Sequence, residues 1–385
     1  MASAGASWVE VSRGALSDNV GAFRTALGGA GSGLGVVLKA NAYGHGLGVV
    51  FEAIAGTVDR IHVIEPEDAL ELRRIEEERG WPRHELLVLG VVSPDEAVAL
   101  ARAGCAAVLG DDGARGWPAA LEAAGETLTV HLHVDSGLSR EGWDADQVGP
   151  VAAWVVSEPR LRLEGVLTHF ADTEDVTDQT YAHAQLEAFA RAAEVCEAAA
   201  GRRLVRHAAA SAAALVLAES RLDEVRVGIS LYGLWASDLT RLSAAALFPV
   251  MPKLRPVLAW RVRPQLVKWL PAGAFVGYGC THRCRDATCI AVLPVGYHDG
   301  YPRALSGKAH VLVRGRRCPV LGRVMMNHLI VDVTGLDIDG DAHVTLLGVD
   351  GDEEVSADRL AGWASTISYE IVARLGGHLP RVVVP

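Results

Sequence analysis

Short aliphatic runs recur along the first two-thirds of the chain, and the stretches between them are long enough to hold a helix each. The runs fall at 35–39, 60–64, 86–89, 106–109, 128–134, 163–168, 204–207 and 224–228, and each reads as a strand. Helix signals sit between them. Residues 16–27 have helical spacing, residues 67–79 form a charged amphipathic stretch closed by Gly80, and Ser93-Pro94-Asp95-Glu96 is a capping box with proline at the first helical position. Eight strands, each coupled to a helix, predict an α/β fold whose N-terminal part is a (β/α)8 TIM barrel, although strand counting also admits a doubly wound open sheet. From about residue 240 the texture changes. A proline-rich stretch at 248–270 is followed by short strands at 289–294, 309–313, 329–333 and 343–347 with glycine-rich turns and few helices, which predicts a C-terminal mainly-β domain. The expected organisation is a barrel over 12–240 and a β domain over 241–385, joined near 237–246. Residues 1–11 go with the β domain, because Trp8-Val9-Glu10-Val11 precedes the first helix without an obvious barrel partner.

Composition narrows the function classes. A length of 385 residues favours two domains, and 50% hydrophobic residues supply ample core. A net charge of −11 argues against nucleic acid or a basic membrane-binding surface as partner. There is no apolar run of about eighteen residues to span a membrane, and residues 1–11 lack a basic region followed by an apolar core, so a cytoplasmic protein is expected. The six cysteines then read as thiols. Cys280, Cys284 and Cys289, with His282 among them, are spaced by four and five residues, which fits no common zinc pattern, and no metal is expected.

Candidate chemistry begins at Lys39. The chain has four lysines, and Lys39 is the only one before residue 253. It follows Val36, Val37 and Leu38, so it is either an amine in water at a strand mouth or a desolvated amine with a lowered pKa, usable as nucleophile or base. In a barrel, the residues just past the strands converge on one face. Here they are Lys39, Tyr43, Arg140, His169, Ser211 and Arg226 with Gly228 and Ile229.

The run Leu38-Lys39-Ala40-Asn41-Ala42-Tyr43-Gly44-His45-Gly46 resembles the pyridoxal-phosphate attachment motif of the alanine racemases. Asp135-Ser136-Gly137-Leu138-Ser139-Arg140, Leu167-Thr168-His169-Phe170 and Arg226-Val227-Gly228-Ile229 resemble further segments of that family. So do Val276-Gly277-Tyr278-Gly279, Gly322-Arg323-Val324-Met325-Met326-Asn327 and Ile367-Ser368-Tyr369-Glu370. The resemblance implies pyridoxal 5'-phosphate on Lys39. It also implies phosphate donors from Tyr43, Ser211, Gly228, Ile229 and Tyr369, His169 beneath the ring, and Arg226 at the pyridine nitrogen. Arg140 and Met326 would meet a small amino-acid substrate. The implied activity is racemisation, most directly of alanine, with Lys39 and Tyr278 as the two bases. Tyr278 would enter from the second subunit of a homodimer.

Three departures bear on the substrate. His133 stands where many members have a carbamylated lysine bonded to the arginine, Asn327 where aspartate is usual, and Ala210 where asparagine is common. A racemase of serine or another small amino acid is therefore the alternative, followed by a non-racemising cofactor carrier. A fold-related decarboxylase is disfavoured by Arg226 in place of a carboxylate and by the absence of a cysteine-aspartate substrate loop.

Overall fold

The computed structural model describes residues 5–28, 31–338 and 342–385, so residues 1–4 of the expected N-terminal segment lie outside it. Eight parallel strands, Gly33–Val37, Arg60–Val63, Glu85–Val88, Ala106–Leu109, Leu128–Asp135, Leu161–Leu167, Val205–Ala210 and Glu224–Val227, pair in sequence order. The last returns to the first, with Val227 opposite Val36, so the sheet closes into a barrel and the open-sheet alternative falls away. Several strands stop short of the apolar run that predicted them. Leu38 and Thr168 already belong to loops yet are fully buried, which is why their runs read as continuing strand.

The helices form where their caps direct. Helix Arg13–Ala26 begins three residues earlier than spacing suggests, because the Ser12 hydroxyl accepts the Ala15 amide at 3.1 Å. Helix Pro66–Arg79 carries proline in its first turn and ends on Gly80 at φ 64°. The capping box at Ser93 is complete, with Glu96 reaching back to the Ser93 amide at 2.7 Å.

The chain divides into two compact units, one of Leu16–Lys39 and Phe51–Arg255 and the other of Met1–Ala15, Ala40–Val50 and Pro256–Pro385. The first contains the barrel. Two of its strand glycines leave room for large interior side chains: a Cβ on Gly35 would lie 2.5 Å from His62 Nε2, and one on Gly165 would lie 2.3 Å from His131 Nδ1. The second unit is mostly strand. Ser7–Ser12 pairs antiparallel with Leu258–Val262 and parallel with Arg381–Val384. A separate three-stranded sheet joins Leu266–Leu270, Thr288–Leu293 and Leu329–Asp332. Among the described residues no helix is long and apolar enough to cross a membrane. All six cysteines are free thiols, Cys280 exposed and the others buried.

Candidate active site

Lys39 sits just past the first barrel strand, whose ladder ends with the Leu38 amide on the His62 carbonyl at 2.8 Å. Burial holds its amine below the ordinary lysine pKa, the Arg140 charge lowers it further, and Glu141 opposes. The side chain is partly buried, so its amine is partly withdrawn from water. Glu141 lies 3.6 Å from Arg140 Nε and 3.9 Å from His133 Nδ1, and the three line a cavity of about 220 Å³ with Trp117, Val108 and Val92. His133 is pushed down to about 4, by burial first and then by Arg226 and Arg140, so it is neutral at pH 7.

Arg226 is buried, and both its terminal nitrogens donate to the barrel. Nη1 donates to His207 O at 2.7 Å and Nδ1 at 2.9 Å, while Nη2 donates to Thr168 O at 2.6 Å, Ala208 O at 3.1 Å and His169 Nδ1 at 3.4 Å. Because a guanidinium can only donate, these bonds dictate the tautomers behind it. His207 accepts at Nδ1, so its Nε2–H donates to His131 Nδ1 at 2.8 Å. Burial lowers the Arg226 pKa to about 10, below the range expected of a free guanidinium, yet it stays charged at neutral pH. His169 is held down to about 3 by burial, Arg226, Arg140 and Lys39 in that order. Behind Arg226, Glu224 lies 2.7 Å from His62 and 2.8 Å from Arg60. Burial raises this carboxyl, but His62, Arg60 and Arg226 together outweigh it and hold it below the usual range.

Ser211 opens a short helix, and its Oγ accepts the amides of Gly228 at 3.0 Å and Ser230 at 3.4 Å. Both bonds arrive at the oxygen, so the hydroxyl hydrogen remains available to a further acceptor. The barrel unit thus brings together Lys39, Arg140, His169, Ser211, Arg226, Gly228 and Ile229.

The remaining candidate residues lie in the second unit. Ala40, Asn41, Ala42 and Tyr43 all have φ between 52° and 55°, a left-handed helical turn built from L-residues without a glycine. Each such residue costs roughly 1–2 kcal/mol, so the turn must be braced. Asn41 Oδ1 accepts the Leu47 amide at 2.8 Å, and His45 Nδ1–H donates to Tyr43 O at 2.8 Å and Ala42 O at 3.1 Å. Arg381 grips Gly44 O through Nε at 3.1 Å and Nη2 at 2.7 Å. A Cβ on Gly44 would lie 1.9 Å from Val372 O, so only glycine fits. The turn presents Tyr43 beside Tyr369, with ring centroids 6.2 Å apart, and burial raises the Tyr43 phenol well above its ordinary pKa. Tyr278 lies in a tight turn between Gly277 and Gly279 and is 72% exposed, as Met326 is by 54%. The Met326 loop is pinned from below: Tyr297 N donates to Met325 O and His298 N to Met326 O, both at 3.0 Å.

Sequence reasoning missed the supporting residues His62, His131, His207, Glu224, Glu141 and Arg381. The signal was present in part, since a histidine or glutamate inside an aliphatic strand run is a polar group that must find a partner.

Comparisons with known proteins agree along the whole chain. A family model described as the alanine racemase N-terminal domain matches residues 11–235, and one described as the alanine racemase C-terminal domain matches 257–383. The alanine racemase of Symbiobacterium thermophilum is 40% identical over 380 residues, covering 97% of this chain and 96% of that protein. That of Leptospira interrogans is 34% identical over 394 residues, covering 98% and 96%. The crystal structure of alanine racemase from D-cycloserine-producing Streptomyces lavendulae has a TM-score of 0.87 at 31% identity and covers 98% of this chain and 97% of that one. The chain belongs to the alanine racemase family.

Proposed function

We propose that this chain holds pyridoxal phosphate at Lys39 and interconverts L-alanine and D-alanine, with Lys39 and Tyr278 exchanging the α-proton on opposite faces. The observation that carries the reading is the partly buried Lys39 amine, its pKa lowered by burial and by the Arg140 charge, in a barrel unit that also holds a charged Arg226 tied to barrel carbonyls. Relatives that span the full chain are named alanine racemases, which favours alanine over serine, a carrier role or decarboxylation.

The donor set fits the cofactor. Ser211 has a hydroxyl hydrogen to spare, the backbone at Gly228 and Ile229 adjoins it, and Tyr43 and Tyr369 offer phenols that burial keeps protonated in the case of Tyr43. Bound there, pyridoxal phosphate would acidify the α-hydrogen of an amino acid joined to its aldehyde carbon. The chain's own residues do the rest. Lys39, with its pKa lowered, takes or returns the proton at Cα from one face. Arg226 would offer a hydrogen bond to the pyridine nitrogen while keeping its own proton, which would limit charge on the ring and favour exchange of the α-proton over further bond breaking. Arg140 orients the substrate carboxylate, and Met326 contacts the substrate. Tyr278, exposed on its glycine-flanked turn, serves the other face from the second subunit of a homodimer. The cytoplasm is the proposed compartment.

The test is α-carbon deuterium exchange followed by NMR in heavy water, on wild type, Lys39→Ala and Tyr278→Phe, with alanine and serine offered in parallel. Alanine washing out with appearance of the opposite enantiomer, and both variants crippled, supports the reading. Retention of the α-proton of every amino acid by cofactor-loaded wild type overturns it.

A further inference from the structure

Among the described residues, the racemase reading leaves a group of ligating side chains unused in the second unit. We propose that His298, Asp299 and His378 form a binding site for a divalent transition metal of the zinc class, with three protein donors and a fourth position open to solvent.

Their ligand atoms all lie within 4.8 Å of one another. His378 Nε2 is 2.8 Å from Asp299 Oδ1, and the His298 and His378 rings stack at 5.0 Å between centroids with 19° between planes. Two imidazoles and one carboxylate are the donor types that zinc takes in sites with an open position. Metal–ligand bonds of about 2.0–2.1 Å in a tetrahedron set neighbouring donors roughly 3.3 Å apart. The Asp299–His378 pair therefore opens only slightly to admit the ion, and the exposed His298 side chain is free to turn toward it.

The site is also built from behind. Asp299 is only 8% exposed, and its Oδ2 accepts the Gly296 amide at 2.9 Å, leaving Oδ1 to face the histidines. Its backbone carbonyl accepts the Gly376 amide at 3.0 Å, tying the aspartate segment to the histidine segment. A Cβ on Gly376 would lie 2.5 Å from His378 Cε1, so glycine there is what lets the ring lie against the backbone and reach Asp299. A metal would staple 298–299 to 378 across a stretch with a structural duty. Arg381 Nη1 holds Gly376 O at 2.6 Å and Leu379 O at 2.7 Å while its other nitrogens grip Gly44 O, the brace of the left-handed turn after Lys39.

The experiment uses untagged, cofactor-loaded full-length protein titrated with Zn²⁺ against a competing chelator, and with Co²⁺ read by its visible spectrum. Variants are His298→Ala, His378→Ala, their double, Gly376→Ala, and Cys280→Ser as a control for the exposed thiol. The expected result is one metal per chain and affinity weakened about tenfold or more by either histidine change, since loss of even an outer partner costs that much. Gly376→Ala should weaken binding as well, Cys280→Ser should leave it unchanged, and the cobalt spectrum should lack a thiolate charge-transfer band. Asp299→Asn is avoided because that carboxylate also holds the Gly296 amide. Both histidines are exposed, so their variants should melt as wild type does without metal. No saturable binding, binding unchanged in the double variant, or binding lost with Cys280→Ser overturns the proposal. None of these outcomes depends on racemase activity.

Discussion

The two units reach a functional geometry by opposite means. In the barrel unit, the reactive residues are clamped by buried neighbours: Arg226 spends its donors on backbone carbonyls and two histidines, and His62, His131, His133 and His207 are all buried around it. In the other unit, the backbone is contorted instead, through four successive left-handed residues ending at Tyr43 and a glycine-flanked turn at Tyr278. Side-chain burial makes the first sensitive to protonation. Backbone strain makes the second sensitive to added Cβ atoms.

The largest effect expected from this contrast is acid sensitivity seated mainly in the barrel. Burial pushes His133 and His169 there, and His45 in the other unit, down to about 4, 3 and 4 when folded, from an ordinary histidine value of about 6.5. The unfolded chain thus binds protons that the folded chain refuses. Stability is complete above pH 6.5 and is lost as pH falls toward 4, by about 1.4 kcal/mol per pH unit for each group. Urea unfolding at pH 7.5, 6.5 and 5.5 should therefore lose several kcal/mol over the last unit, and a flat profile would remove the basis of the comparison. Next comes Gly44→Ala, which forces a Cβ into Val372 O at φ 80° and should cost about 3 kcal/mol or more in thermal or urea unfolding. Gly165→Ala, which sets a Cβ against the buried His131 ring and 2.8 Å from Val205 O but at ordinary negative φ, should cost about 1–3 kcal/mol. If the barrel variant proves the costlier, the assignment of strain to the second unit is wrong.

Glu141→Gln sharpens the electrostatic side. Removing the carboxylate that raises Lys39 should lower the lysine pKa, and Arg140→Gln should raise it. The pH dependence of Lys39 acylation in apoprotein, followed by mass spectrometry, reads both signs. The smallest stability change belongs to Tyr278→Phe. With the side chain 72% exposed, unfolding should shift by no more than about 0.5 kcal/mol, while α-proton exchange collapses. A large loss of stability would show that Tyr278 is a packing residue.

Much of the barrel was legible because parallel strands buried on both faces read as unbroken aliphatic runs, and because caps such as Ser93 and Gly80 act within a few residues of themselves. The family motifs placed Lys39, Arg226 and Tyr278 in specific segments for the same local reason. Glu141 could not be singled out, since its meaning lies in its distance from Arg140 and His133. The turn at Ala40–Tyr43 was invisible for a different reason. Of Ala-Asn-Ala-Tyr only Asn readily takes left-handed backbone, and one of the braces that hold the turn, Arg381 on Gly44 O, lies more than three hundred residues away.

The sequence by itself determined the strand and helix order, the α/β class, the placement of a scarce lysine at a strand end and the family motifs, because each is written in neighbouring residues. Only the tertiary structure decided that the sheet closes into a barrel, that Lys39 is partly buried with a lowered pKa, that Arg226 is tied to barrel carbonyls and lowered to about 10, that Glu224 is paired with His62 and Arg60, and that His298, Asp299 and His378 meet. Burial and electrostatic coupling depend on distances between residues far apart in the chain, and those distances do not exist until it folds.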